Sequence, residues 1–396
     1  MKKITILLIC FIFAIIALVG VSEIFIKGKN MNEERIINSP HFKNGRFHNI
    51  EPVATTFENE GKKKDSMLKI MLDIFITGEK PKNIPAIKSD LKSLGKKDYV
   101  VWFGHSSYLL QVGGKRILVD PVFGRASPVP FINNPFSGTD IYHAEDLPNI
   151  DYLVITHNHY DHLSKNDIKA LKSKVKTAIA PLGVGKYLRN WGIENIIELD
   201  WNEEYVESGA DKNDKISGIS GKITKSTANE TDKPNKSSDF KIFCLTAKHF
   251  SGRKIFDSNA TLWASFLVEI MGRKIYIGGD SGYGGHFREI GERFGKIDLA
   301  FLENGQYNEN WREIHMFPQD VLNAANDLNA TSLFPVHNSK FRISLHSWNE
   351  PLSEISKLHN SKKYEKIELL MPQIGEIVPL WEKYNYKKWW EGELNI

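Results

Sequence analysis

Three imidazoles and a carboxylate stand within six residues in the run Thr156-His157-Asn158-His159-Tyr160-Asp161-His162. The run follows directly on an apolar, β-branched stretch at 152–155 and comes just before Ser164 and Asp167, whose spacing resembles a capping box opening a helix over 165–171. In extended backbone, side chains two apart share a face, so His157 and His159 point the same way. The turn toward the helix then aims Asp161 and His162 at a neighbouring point. Two imidazoles for one ion, with a carboxylate and an imidazole for a second, suit a borderline-soft divalent cation such as zinc. A surface histidine cluster without a metal is the competing reading, and the strand-to-loop setting argues against it.

The surrounding elements place this run in a repeating scheme. Short runs rich in β-branched and aromatic residues at 99–103, 108–112 and 116–119 read as strands, with Gly113–Gly114 as a hairpin signal. Strands at 152–156, 177–180 and 195–199 follow, separated by helices at 165–171 and 183–191. Residues 208–239 are Lys, Asp, Ser, Asn, Thr and Gly almost throughout. They bury too little apolar surface to offset their ordering entropy, and are expected to form a flexible surface insertion. Strands resume at 241–247, 261–268, 273–277 and 297–302, then a helix at 318–328 and a strand at 332–336. Strands cluster, then alternate with helices, and the scheme recurs after the insertion. A two-sheet sandwich with helices on its outer faces is the economical layer solution.

The chain of 396 residues is 41% hydrophobic, 25% charged and 11% aromatic, which is ordinary globular composition. A net charge of +4 without a long basic stripe gives nucleic acid little electrostatic support as a partner. Cys10 and Cys244 differ in setting, so no disulfide framework is expected; Cys244 reads as a buried thiol. Lys2 and Lys3 precede an uncharged run over 4–21, near the lower limit for a membrane-spanning helix. Val19 and Val21 stand where a signal peptidase site would carry small residues, which favours an uncleaved single-pass anchor in the cell membrane. The expected organisation is an anchor at 1–27, an extension at 28–95, a catalytic domain at 96–380 and a tail at 381–396.

With these residues in place, the chain resembles the metallo-β-lactamase-fold hydrolases, whose hallmark is His-x-His-x-Asp-His after a strand. That resemblance implies an αββα sandwich, of mixed α/β class, with two metals at one edge of the paired sheets. It also implies the remaining ligands: His249 in Ala247-Lys248-His249-Phe250, Asp280 in Gly278-Gly279-Asp280-Ser281 and His337 in Pro335-Val336-His337-Asn338, each closing a strand. His157, His159 and His249 would hold one ion, and Asp161, His162 and His337 the other, with Asp280 between them. Within the superfamily, the chain is similar to N-acylphosphatidylethanolamine-hydrolysing phospholipase D and its bacterial relatives from about Ser39 to Glu354. The strings that carry this are Ser39-Pro40-His41-Phe42-Lys43-Asn44-Gly45, Trp102-Phe103-Gly104-His105-Ser106-Ser107, Leu262-Trp263-Ala264-Ser265-Phe266, Ile314-His315-Met316-Phe317-Pro318 and Leu345-His346-Ser347-Trp348-Asn349-Glu350-Pro351. Two departures are expected near the mouth of the site: Asn338-Ser339-Lys340 replaces the usual Trp-Gly-Thr, and the polar insertion is long.

The resemblance implies two Zn2+ ions and a bridging hydroxide as nucleophile, since zinc lowers the pKa of water to near 7. It places Asp161 and His315 at the chemistry, with His315 on the substrate side against a phosphate or leaving oxygen. His105 is either a support for a ligand or a structural turn histidine, and His346 is read as structural. His159 stands where di-iron oxygen-reducing relatives carry Glu, which favours zinc hydrolysis. A phosphodiester in a phospholipid headgroup is the expected substrate, with the membrane as partner. The alternatives are a small-molecule lactonase or sugar-phosphate hydrolase on the same fold, and a non-enzymatic membrane-tethered metal or lipid binder.

Overall fold

The computed structural model describes residues 32–53, 69, 73, 81, 83–130, 132–207, 222–225, 240–254 and 257–391. The apolar run at 4–21 lies outside the described residues, as does most of a helical-looking segment near 65–75, of which Lys69 and Asp73 are described and helical. Among the described residues no helix is long and apolar enough to cross a membrane.

Two sheets carry the architecture. The seven-stranded sheet runs in the order Ile377–Pro379, Tyr99–Trp102, Tyr108–Val112, Lys115–Val119, Ile150–Val154, Val175–Pro181, Ile196–Leu199. Its first four strands are antiparallel neighbours and the remaining pairings are parallel. The eight-stranded sheet repeats that plan: Lys222–Lys225, Glu203–Val206, Lys241–Leu245, Ser265–Ile270 and Arg273–Ile277 are antiparallel, and Ile297–Glu303, Ala330–Val336 and Glu368–Leu369 continue in parallel. The change from meander to parallel strands is the alternation visible in the sequence.

Period two sorts the first sheet's side chains into two cores. Val100, Trp102, Leu110, Val112, Ile117, Val119, Tyr152 and Val154 face the second sheet and join its Ile242, Cys244, Phe266, Ile275, Leu299 and Phe334 in one cluster. Tyr99, Val101, Leu109, Leu118, Leu153 and Ile155 turn the other way, onto Ile168 and Leu171 of the helix Lys165–Leu171 and Tyr187 and Leu188 of the helix Gly185–Asn190. Aromatic rings bridge the sheets: Tyr108 stacks on Phe301 at 4.1 Å and Tyr152 on Phe240 at 3.9 Å between centroids. The helices His286–Phe294, Pro318–Asp327 and Glu350–His359 contribute Phe287, Ile290, Val321, Leu322, Leu352 and Ile355 to the same core as the second sheet.

Two segments differ from the sequence reading. Within the polar insertion, Lys222–Lys225 forms an edge strand antiparallel to Glu203–Val206; the rest of 208–239 lies outside the described residues. An edge strand needs only backbone partners, so its polar side chains gave no apolar signal. The expected tail also reaches the core, where Trp390 is buried.

Candidate metal centre

Parallel and antiparallel strands from both sheets deliver their ends to one edge. Ile150–Val154 leads into the loop 157–162, Lys241–Leu245 into His249, Arg273–Ile277 into Asp280 and Ala330–Val336 into His337. Ala264 N–H donates to Thr156 O at 3.0 Å, tying the histidine loop to the other sheet. Of the capping box only half forms. Ser164 Oγ accepts from Asp167 N–H, but the Asp167 carboxylate accepts from Phe123 N–H at 3.0 Å instead. Non-glycine residues in the left-handed region gather here: His105 (φ 52°), Asp120 (φ 39°), Gln306 (φ 58°), His337 (φ 66°) and Ser339 (φ 61°). Such conformations cost of order 1–3 kcal/mol each and persist where the surroundings over-determine them.

All seven candidate ligands converge. His157 Nε2 lies 2.8 Å from His159 Nδ1, and His249 Nε2 lies 3.3 Å from the same atom. Asp280 Oδ2 is 3.8 Å from His157 Nε2 and 3.7 Å from His249 Nε2. On the other side of that carboxylate, Oδ2 is 3.2 Å from His162 Nε2 and Oδ1 is 3.2 Å from His337 Nδ1. Asp161 Oδ2 stands 3.6 Å from His162 Nε2. Metal–nitrogen bonds of about 2.0–2.1 Å in a tetrahedron put neighbouring donor atoms about 3.3 Å apart, so these spacings suit a shared pair of ions.

His105 sits against the second group. It is fully buried, and its Nε2–H donates to Asp161 Oδ2 at 2.9 Å. Its backbone also fixes the last histidine, because His337 N–H donates to His105 O at 2.9 Å. His346 lies apart from the ligands, where its Nε2 accepts from Gln306 N–H at 2.7 Å.

The residues that aim these ligands were not read from the sequence. Asp120 closes the strand Lys115–Val119 and is buried; its Oδ2 accepts from His162 Nδ1 at 2.8 Å and from Thr156 Oγ1 at 2.6 Å. Thr156 Oγ1 in turn lies 3.0 Å from His157 Nδ1, so one carboxylate orients two imidazoles, leaving their Nε2 atoms toward Asp280. His249 Nδ1 donates to Ile314 O at 3.1 Å, and its backbone N–H and C=O are both held by the Asn49 side chain. The Arg253 guanidinium donates to Asn158 O and Leu163 O, each at 2.7 Å, and lies over the Tyr160 ring, clamping the loop from outside. Replacing Asp120 with alanine is expected to weaken metal binding about 10–100-fold, since carboxylates behind ligand histidines fix both tautomer and ring orientation. A metal titration of the variant against wild type checks this.

Electrostatics prepare the donors. Burial, reinforced by neighbouring histidines, pushes His157, His249 and His337 well below the usual histidine value. Burial also takes His159 to about 3 and His105 to about 4, so these rings are neutral at pH 7 with lone pairs to give. His162 goes the other way: burial opposes its charge, but Asp280 and Asp161 outweigh that and raise it. Asp280 is pushed up to about 6 by burial, while Asp161, although buried, is held down by His162 and the His105 hydrogen bond. His162 Nε2 and Asp280 Oδ1 are buried without a hydrogen-bond partner. Buried polar atoms are rarely left so. Both face the point the other donors share, and a cation there satisfies them; the residues present therefore fit a two-metal group.

His315 lies beside this centre, its ring stacked on His337 and edge-on to His249. Its Nδ1 is 2.6 Å from Oε2 of Glu303, a fully buried carboxyl at the end of the strand Ile297–Glu303. The three residues that depart from the usual Trp-Gly-Thr do not line the mouth of the site. Asn338, Ser339 and Lys340 are all buried. Lys340 Nζ donates to Phe103 O at 3.0 Å and Val122 O at 2.9 Å, stapling the His105 and Asp120 loops from beneath. Burial lowers that amine to about 8.

Comparisons with known proteins agree with this geometry. The model of the beta-lactamase superfamily domain matches residues 115–338. An uncharacterised protein of Mycobacterium tuberculosis is 31% identical over 360 residues, 89% of this chain and 87% of that protein. N-acyl-phosphatidylethanolamine-hydrolyzing phospholipase D 1 of Caenorhabditis elegans is 28% identical over 300 residues, 72% of this chain and 75% of its own. The mitochondrial enzyme of the same description from Saccharomyces cerevisiae is 31% identical over 272 residues, 66% of this chain and 51% of its own. The solved structure of a possible metal-dependent hydrolase from Veillonella parvula shares the fold, with a TM-score of 0.51 at 14% identity over 72% of this chain and 100% of that one. With the domain model matched across the whole of the histidine loop and on to His337, the chain belongs to the beta-lactamase superfamily domain family, as a metal-dependent hydrolase of that fold.

Proposed function

We propose that this hydrolase is a two-zinc phosphodiesterase of the phospholipase D type, acting on N-acylphosphatidylethanolamine-like phospholipids. The observation that carries the reading is the pairing of two donor groups across Asp280 with a histidine, His315, set beside them against His337 and His249. The relatives from Caenorhabditis elegans and Saccharomyces cerevisiae, whose names carry this activity, support the choice of substrate.

Two divalent ions bound there supply activation of water and neutralisation of charge on the phosphoryl oxygens. The chain's own groups do the rest. His157, His159 and His249 form one donor set, Asp161, His162 and His337 the other, and Asp280 serves both. His105 keeps Asp161 in place through their 2.9 Å hydrogen bond. Since Glu303 engages the Nδ1 side of His315, Nε2 is the nitrogen left for substrate. Water forms the new P–O bond and gives its proton to solvent. The P–O bond to the alcohol breaks with its electron pair on oxygen, and that oxygen takes the proton from His315 Nε2. Solvent then returns a proton to the imidazole. The uncharged run at 4–21 would hold this site beside a bilayer.

Purified full-length chain should release phosphatidic acid and N-acylethanolamine from vesicles containing N-acylphosphatidylethanolamine. Turnover of lactones with no phosphodiester cleavage in the metal-loaded protein would replace this reading with the lactonase one. Metal bound with no substrate turned over would leave a binding protein.

A further inference from the structure

Glu303 is a further buried carboxyl beside the two donor groups, with a ligand atom within 4.8 Å of those of Asp280, His315 and His337. It is fully buried, and its two oxygens do different things. Oε1 accepts from Met316 N–H at 3.0 Å and Ser281 N–H at 3.3 Å. Oε2 meets His315 Nδ1 at 2.6 Å. Ser281 follows Asp280 and Met316 follows His315, so a single side chain joins the loop of the shared carboxylate to the loop of the substrate-side imidazole. Glycines allow the backbones to come this close. A Cβ on Gly282 would meet Glu313 O at 1.9 Å, and one on Gly305 would meet His337 O at 2.3 Å.

We propose that Glu303 is the positioning residue of His315: it keeps a proton on Nδ1 while Nε2 is held toward the leaving oxygen, so that the imidazolium gives its Nε2 proton, is left neutral with Nδ1 still protonated, and recovers a proton from solvent. This rests on the phosphodiesterase reading for the substrate, but not for the geometry. The oxygen pattern shows why the acid is needed and an amide will not serve. In Glu303→Gln the one amide oxygen is claimed by the two backbone N–H donors, so the NH2 group faces Nδ1. Nδ1 must then accept, and its hydrogen moves to Nε2. Such an imidazole still donates a hydrogen bond to substrate but can no longer pass the proton on and remain neutral. Binding survives and transfer fails. A purely structural role for Glu303, capping two N–H groups, would instead lower stability and affect every substrate alike.

The test compares wild type, E303Q, E303D, H315A and the E303Q/H315A double variant, all loaded with zinc. Two substrates are used: N-acylphosphatidylethanolamine, whose leaving group is an alkyl alcohol, and bis(p-nitrophenyl) phosphate, whose leaving phenolate needs no proton. E303Q should lower kcat on the alkyl ester by about 10²–10⁴-fold, the range for a lost proton transfer or a wrong tautomer, with KM nearly unchanged. On the aryl ester the loss should be under about tenfold. E303D, which keeps an acceptor, should recover part of the rate. The double variant should be no slower than H315A, because residues acting as one unit are not additive. Independently of activity, ¹⁵N-histidine spectra should show His315 with a proton on Nδ1 in wild type and a bare Nδ1 in E303Q, at unchanged zinc content. An unchanged tautomer, equal losses on both substrates, or zinc lost from E303Q and E303D alike would each overturn the proposal. If wild type cleaves no phosphodiester, the phosphodiesterase reading fails, and the spectra and zinc content still decide the role of Glu303.

Discussion

Replacing His159 with alanine should abolish hydrolysis and remove metal from the first donor group while the protein stays folded. His159 Nδ1 lies 2.8 Å from His157 Nε2 and 3.3 Å from His249 Nε2, so its loss opens one corner of that group and leaves the other two imidazoles without a third. A bound ion is worth several kcal/mol of charge stabilisation in the transition state, so the rate should fall roughly 10³-fold or more. The fold should survive because His159 lies on a loop outside both apolar clusters, against Phe250, and the loop is still clamped by Arg253. Circular dichroism, zinc content and turnover measured on one preparation check this. Retained activity would remove His159 from the site.

Acidification should strip metal and lower stability together. The imidazoles of His157, His159, His249 and His337 are pushed below the ordinary histidine value by burial. A group depressed in this way is neutral in the fold where the unfolded chain has already taken a proton. The unfolded state therefore binds more protons below about pH 6.5, and stability falls as pH drops through that value. Asp280, raised to about 6, and Glu303, raised well above its ordinary value by burial, act in the opposite sense in this window, two groups against four, while His162 opposes only above the ordinary histidine value. Protons and metal compete for the donor that both metal groups share, so occupancy drops as pH falls. Metal bound to the folded state alone adds about 2.7 kcal/mol at a hundredfold excess over its Kd, and that contribution disappears in the same window. Thermal melts from pH 8 to pH 5, with and without a chelator, should converge at the acid end. A chelator-insensitive melt at pH 8 would contradict the account.

How much of this was legible in the sequence depended on distance along the chain. The 157–162 loop announces itself because its donors are neighbours and an apolar strand and a helix flank them. His249, Asp280 and His337 needed the family resemblance, since each is a lone polar residue at a strand end. Asp120 and Glu303 stand in the same position, closing the apolar runs Lys115–Val119 and Ile297–Leu302, and a charged residue there was a signal that could have been used. What hid them is that their partners lie elsewhere: Asp120 aims a histidine 42 residues away, and Asn49 holds one 200 residues away. The two cores are sorted by period-two alternation, with Val100 and Trp102 facing opposite to Tyr99 and Val101, but an all-apolar strand gave no sign of which face was which. The helix Glu350–His359 went unread although Pro351 at its start suits a first turn. The Asn338-Ser339-Lys340 departure was misplaced for a physical reason: a lysine is expected at the surface, yet carbonyls of Phe103 and Val122 give Lys340 a polar partner inside.

The most direct test is anomalous scattering at the zinc edge from crystals of the metal-loaded protein. The account predicts two peaks per chain, about 3.5–4 Å apart, one bounded by His157, His159 and His249, the other by Asp161, His162 and His337, with Asp280 touching both. A single peak, or two that Asp280 does not bridge, would contradict it.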